Sequence, residues 1–158
     1  MNDQHVRLQL VNALSERQAH MLFNDAVKDF PAEHYNTRPA NIPYSFWHLL
    51  EHLRITQWDI LDYIQNPDYQ YLEFPAGYWA PPDSETDQAG WDKTIADFNH
   101  DLQALIDIVN HPDTDLYAQI PHAQTGHTIL REINIVATHN AYHIGEFGIL
   151  RGVMGLWS

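Results

Sequence analysis

The stretch Ile129-Leu130-Arg131-Glu132-Ile133-Asn134-Ile135-Val136-Ala137-Thr138-His139-Asn140-Ala141-Tyr142-His143-Ile144-Gly145-Glu146-Phe147 decides the fold class of this 158-residue chain. Ile129, Ile133, Val136, Asn140, His143 and Phe147 recur at alternating steps of four and three, and Leu150 and Met154 continue the series. That period describes a helix with one face turned to a core. The predicted helix opens after Gly126-His127-Thr128 and stops at Gly152 or Gly155, where glycine permits the chain to turn. His139 and His143, four residues apart, project from adjacent turns of one side of it.

Eleven histidines in the chain make pairs at this spacing common, and most helical histidines are surface groups or satisfied core groups. This pair lies on or beside the apolar face, however, and a buried imidazole without a partner is costly. A shared divalent metal explains both. Two ligands do not close a tetrahedral or octahedral shell, so a third group is required, and the segment Trp47-His48-Leu49-Leu50-Glu51-His52-Leu53 offers two.

Working outward, that segment belongs to a second predicted helix from about Ser45 to Ile64. Ser45 is its cap, Leu49, Leu50, Leu53, Ile60, Leu61 and Ile64 face inward, and Pro67 lies beyond its end. His52 flanks that stripe more closely than His48. A helix with Leu8, Val11, Leu14, Leu22 and Ala26 on one side is predicted from about Asp3 to Phe30, with a kink allowed near Gln18-Ala19-His20. Another runs from near Ser84-Glu85-Thr86-Asp87 through Trp91, Ile95, Phe98, Leu102, Leu105 and Ile108 to about Asn110. The expected architecture is all-α, a four-helix bundle with long connectors, in one domain over residues 1–158. The connector from Asn66 to Asp83 holds Tyr69, Tyr71, Phe74, Tyr78 and Trp79, either as a hydrophobic plug or as a lid over a pocket.

Composition removes several function classes. Cysteine is absent, so disulfides, thiolate nucleophiles and sulfur-ligated metals are excluded and a metal must sit on nitrogen and oxygen. A net charge of −13 with eight Lys plus Arg offers no basic stripe for nucleic acid. No apolar run is long enough to span a bilayer and no secretory signal opens the chain, so the expected location is cytoplasmic, away from membranes. Asn140 stands where a zinc protease of the H-E-x-x-H type carries its general-base Glu, no histidine has Glu three positions before it as di-iron bundles require, and no phosphate-binding glycine loop is present.

The same residues carry a resemblance. Trp47 to Leu53 is similar to the aromatic-then-Leu-x-His-Leu segment of the DinB-like, or YfiT-like, superfamily, and His139 to Glu146 resembles its H-x-x-x-H-x-G-[QE] segment. Arg54 to Ile60 and Thr128 to Glu132 resemble flanks of one DinB branch. The resemblance covers nearly the whole chain and implies a four-helix bundle whose metal ligands fall on His52, His139 and His143, with His48 outside that triad. It implies a divalent transition metal, zinc or nickel first and iron, cobalt or manganese as alternatives. It further implies a metal-dependent enzyme, a hydrolase or a small-thiol S-transferase, acting on a small molecule that includes low-molecular-weight thiols; a homodimer is open. The competing class is a non-catalytic, stress-associated bundle with a structural metal, in which a fourth protein ligand, His48 being the nearest, would close the shell. Glu132, Glu146 and Asp59 lie whole turns from proposed ligands and are candidate partners for them, or else capping and solvated charges.

Overall fold

The computed structural model describes residues 3–157. Among them are α1 (Gln4–Ser15), α2 (Phe23–Val27), α3 (Phe46–Gln65), α4 (Gln88–Asn110) and α5 (Ile129–Val153), with short 3-10 turns at Ala32–His34 and Ala76–Tyr78. No strand occurs among the described residues beyond an isolated antiparallel bridge between Gln119 and Thr128. The chain is all-helical, and α3 packs against both α4 and α5 while α1 lies on α4 and α5.

The caps explain where the long helices begin. The Ser45 hydroxyl oxygen accepts from the His48 N–H, Asp87 from Gly90 and Thr128 from Arg131, each satisfying an amide that the first turn leaves without a partner. The Asp87 cap puts the start of α4 at Gln88, a turn later than the Ser84 region suggests. α5 ends in the left-handed turn of Gly155 (φ 68°), with the Leu156 N–H donating to the Arg151 carbonyl.

The first predicted helix is the largest departure. The chain leaves helical geometry at Glu16 (φ −104°, ψ 152°) and resumes only at Phe23. Tertiary packing overrides local preference here. The Phe23 ring stacks on Phe98 with centroids 3.8 Å apart, and Ala26 and Val27 are buried, a docking that a continuous helix from Ser15 would misdirect. Val11 and Leu14 of the expected inward face of α1 pack on the core together with Val6 and the buried Leu10, whereas Leu8 is 56 % exposed.

Two hydrophobic clusters fill the interior. One gathers Phe30, Phe46, Leu49, Leu50, Leu53, Trp91, Phe98, Ile144 and Phe147; the other gathers Leu10, Ile60, Leu61, Leu105, Leu116, Ile133 and Val136. Gln57, His139 and Asn140 fall where α3 and α5 pass from one cluster to the other, and His52 lies one residue before Leu53, the last first-cluster residue of α3. Gln57 and Asn140 are buried there and are tied together: Gln57 Nε2 donates to the Phe98 carbonyl (2.7 Å) and Asn140 Nδ2 donates to Gln57 Oε1 (2.9 Å). Phe147 is fully buried against the rings of Phe30 and Phe46. Phe147→Ala is expected to cost about 3–5 kcal/mol in urea unfolding, the usual range for deleting a buried phenyl ring.

Candidate metal centre

α3 delivers His52 and α5 delivers His139 and His143 to one point. The Nε2 atoms of His52 and His143 are 3.2 Å apart and those of His139 and His52 are 3.1 Å apart, and one nitrogen from each ring lies within 4.8 Å of the others. The separation of four in α5 puts its two rings at a centroid distance of 4.6 Å, with the His52 ring at 4.9 Å and 4.7 Å from them. Each of the three residues proposed from the sequence is therefore in the group.

Hydrogen bonds fix two of the tautomers. His52 Nδ1 lies 2.8 Å from the Tyr78 carbonyl, which only accepts, so Nδ1–H donates and Nε2 carries a lone pair. His143 Nδ1 lies 2.7 Å from Glu146 Oε2, and donation to that carboxylate leaves its Nε2 as an acceptor as well. Two lone pairs facing each other at this distance repel unless a proton or a cation lies between them. Nitrogens held at about 2.0–2.1 Å from one metal ion stand about 2.8–3.0 Å apart on adjacent corners of an octahedron and about 3.3–3.4 Å apart on those of a tetrahedron, and the observed spacings fall between the two. The spacing and the orientation of the donors fit a divalent ion, and three such ligands leave at least one coordination position open.

Further side chains build a wall around the group. Trp79 lies parallel to His52 (centroids 4.0 Å, 3°), and Tyr44 stacks on Trp79 at 4.9 Å. The Tyr44 hydroxyl donates to Glu146 Oε1, so both oxygens of that carboxylate are engaged. Tyr142 stands perpendicular to His143 at 4.8 Å and is 73 % exposed. Tyr44 and Tyr142 carry no sequence signal for this role. Tyr44 arrives from a segment before α3, and Tyr142 reads as a surface residue of α5. The aromatic connector is neither plug nor lid as a whole: Trp79 covers His52, Tyr69 and Tyr78 donate to Asp59, and Phe74 is 84 % exposed.

His48 stands apart. Its Nε2–H donates to the Pro81 carbonyl (3.1 Å) and its Nδ1 accepts from the Ser45 hydroxyl (2.6 Å), so both ring nitrogens are taken. Of the three carboxylates considered, only Glu146 touches a histidine of the group. Glu132 is buried beside Arg131 and His127, and Asp59 reaches the group only through Tyr78, whose carbonyl holds His52. Burial raises the Asp59 carboxyl above the usual aspartate range, against the hydrogen bonds from Tyr69 and Tyr78 that lower it. Of the other histidines weighed from the sequence, His122 Nε2 lies 2.7 Å from the Tyr63 carbonyl and His127 Nδ1 2.8 Å from the Tyr63 hydroxyl. His20 lines a separate cavity of about 420 Å³ where the ends of α1 and α2 meet α4 and α5.

Burial, reinforced by His143 and His52, pushes His139 down to about 4, and burial likewise lowers His52. Without a metal, both rings stay neutral in the folded protein at pH values where an unfolded histidine, at 6.5, takes a proton. The unfolded chain then binds more protons, so the contribution of His139 to stability is full above pH 6.5 and falls as the pH drops towards about 4. The expected result for metal-free protein is a urea midpoint that declines more steeply between pH 7 and pH 4.5 in the wild type than in His139→Gln. Equal slopes would contradict the depressed titration.

The fold and the histidine group together define a helical-bundle protein with a candidate metal centre between α3 and α5. A family model described as the DinB superfamily matches residues 16–147, and the chain belongs to that superfamily. The match contains His52, His139 and His143 and begins where α1 ends. Comparison with curated proteins and with solved structures gave no match. Among the described residues, no helix is long and apolar enough to cross a membrane.

Proposed function

We propose that this protein binds one divalent transition metal through His52, His139 and His143 and uses it as a metal-dependent enzyme on a small molecule, in hydrolysis or in transfer to a small thiol. The observation that carries the reading is the convergence of two Nε2 lone pairs, each fixed by its own Nδ1–H bond, with a third ring nitrogen. Zinc and nickel suit this all-imidazole set best. A divalent ion held there lowers the pKa of a water or thiol presented to it, which supplies a nucleophile near neutral pH.

The chain's own residues divide the work. His52 and the α5 pair would hold the ion at the α3–α5 seam, and the Tyr78 carbonyl and Glu146 keep two of the rings in the orientation that ligation requires. With both oxygens occupied, Glu146 serves as a positioning group rather than as a base that takes a substrate proton. The engagement of His48 with Ser45 and Pro81 speaks against a closed structural shell and for a position left to substrate. The test compares zinc- or nickel-loaded wild type, metal-free wild type and His143→Ala on a panel of small esters, amides and thiol-plus-electrophile pairs. Turnover confined to the loaded wild type is expected; equal rates in all three would overturn the enzymatic reading.

A further inference from the structure

A cavity of about 420 Å³ lies at the break between α1 and α2, and none of the three histidines of the metal centre lines it. Its size falls within the range of small-molecule sites, about 300–1,000 Å³. Leu14 and Phe23 come from either side of the break, Leu102 and Ile106 from α4, and Ile144 from α5. The exposed Asn24 and Gln103 stand at its rim, and Asn140 is its most buried polar lining residue. No Asp, Glu, Lys or Arg lines it. Asn140 and Ile144 each follow a histidine of the metal centre by one residue, which places them about 100° further around α5, on a different face.

Asn140 is 6 % exposed and has an unmet requirement. A carbonyl only accepts, so the bond from Gln57 Nε2 to the Phe98 carbonyl fixes which end of the Gln57 amide is nitrogen. Gln57 Oε1 therefore faces Asn140 and takes its Nδ2–H, which leaves Asn140 Oδ1 as a buried acceptor with no hydrogen-bond partner. The neighbouring His139 ring is governed by burial, with Asn140 the weakest influence on it, and makes no hydrogen bond of normal geometry to this oxygen. The other lining amides do not supply a donor either: Asn24 and Asn99 pair with each other, and Gln103 donates to Asp107. A buried acceptor left in this way is costly, and a partner is its usual explanation. We propose that the cavity is a second binding site, for an uncharged fused-ring small molecule carrying one O–H or N–H donor, with the donor on Asn140 Oδ1 and the rings against the apolar wall. The class follows from the lining. The wall takes ring surface, the absence of charged side chains disfavours an ion that must leave water, and Oδ1 is satisfied by a donor and not by a second acceptor.

The test uses the full-length protein and three probes built on one naphthalene ring system: 2-naphthol, 2-methoxynaphthalene and 2-naphthoate. Binding is followed by the change in probe fluorescence. 2-Naphthol is expected to bind at least about tenfold more tightly than 2-methoxynaphthalene, which has the rings and the oxygen but no donor. 2-Naphthoate should fall at least about tenfold below 2-naphthol, because its charge finds no partner in the lining. Ala13→Trp and Ile106→Phe add bulk at two separate lining positions, and each is expected to abolish 2-naphthol binding, with circular dichroism identifying the variants that keep the helical fold. Asn140→Leu should remove the advantage of 2-naphthol over its methyl ether. The affinity for 2-naphthol should be the same before and after the protein is loaded with Zn2+. The proposal is overturned if no probe binds, if the methyl ether or the carboxylate binds as tightly as 2-naphthol, or if binding survives in a folded filling variant. Displacement of 2-naphthol by Zn2+ would assign the probe to the histidine group and overturn the proposal as well.

Discussion

His139→Ala is expected to lower the affinity of the protein for Zn2+ by well over about a hundredfold, since even the groups that merely orient metal ligands are worth about 10–100-fold. His52→Ala and His143→Ala should do the same, because each removes one of the three nitrogens that converge, among the described residues, at the seam of α3 and α5. Glu146→Gln should fall between, about 10–100-fold, as an amide is a weaker acceptor for His143 Nδ1–H and leaves the ring less basic. His48→Ala should stay near wild type, its ring being engaged with Ser45 and Pro81. A chelator-competition titration measures all five proteins, with far-ultraviolet circular dichroism confirming that each is helical. Full zinc occupancy in His139→Ala would remove the site.

The second large effect concerns stability and arises at the C-terminal end of α5, outside the histidine group. Arg151 is 1 % exposed, and its guanidinium donates to the carbonyls of Ala26, Lys28, Asp29 and Leu156 while lying 4.1 Å from the centre of the Trp157 ring. It is the fastener between α2 and the end of α5, and it satisfies carbonyls at the close of α2 where Asp29 adopts φ 51°. Arg151→Leu keeps most of the volume but strands those acceptors, at an expected cost of about 3–5 kcal/mol. In a chain of this size that lowers the melting temperature by roughly 10 °C. Arg151→Lys keeps the charge without the fork and should recover only part of the loss. A melting temperature within a degree or two of wild type for Arg151→Leu would contradict this account.

What the sequence disclosed follows the range of the interactions concerned. α3 and α5 were legible because cap, stripe and stop are local: Ser45 and Thr128 cap their own first turns, and Leu49, Leu53, Ile60, Ile133 and Phe147 keep a helical period. The sequence allowed a kink at Gln18-Ala19-His20, inside the observed break, but not its full extent, because Glu16 to Leu22 contains no glycine or proline and the cause lies in residues about 75 and 125 positions away, Phe98 and Arg151. The histidine spacing in α5 was visible for the same local reason. The choice of His52 over His48 rested on resemblance and stripe position, and the structure gives its physical basis in the Ser45 and Pro81 contacts that occupy His48. Tyr44 became relevant only once the segment before α3 met the connector, since its stacking on Trp79 joins distant segments and leaves no periodic trace. Trp79 was legible only as part of an aromatic connector, and Tyr142 only as a neighbour of His143.

The bond from His52 to Tyr78 differs in kind from the bond joining His143 to Glu146. The oxygen that orients His52 belongs to the main chain, which every amino acid supplies, so no point substitution at position 78 deletes it. The oxygen that orients His143 belongs to a side chain and is lost in a single codon change. As far as this bond is concerned, position 78 is free to vary as long as the path of the connector is kept, whereas position 146 is held by chemistry. Over evolutionary time, drift at this centre should concentrate on the α3 side, with the α5 side the more constrained.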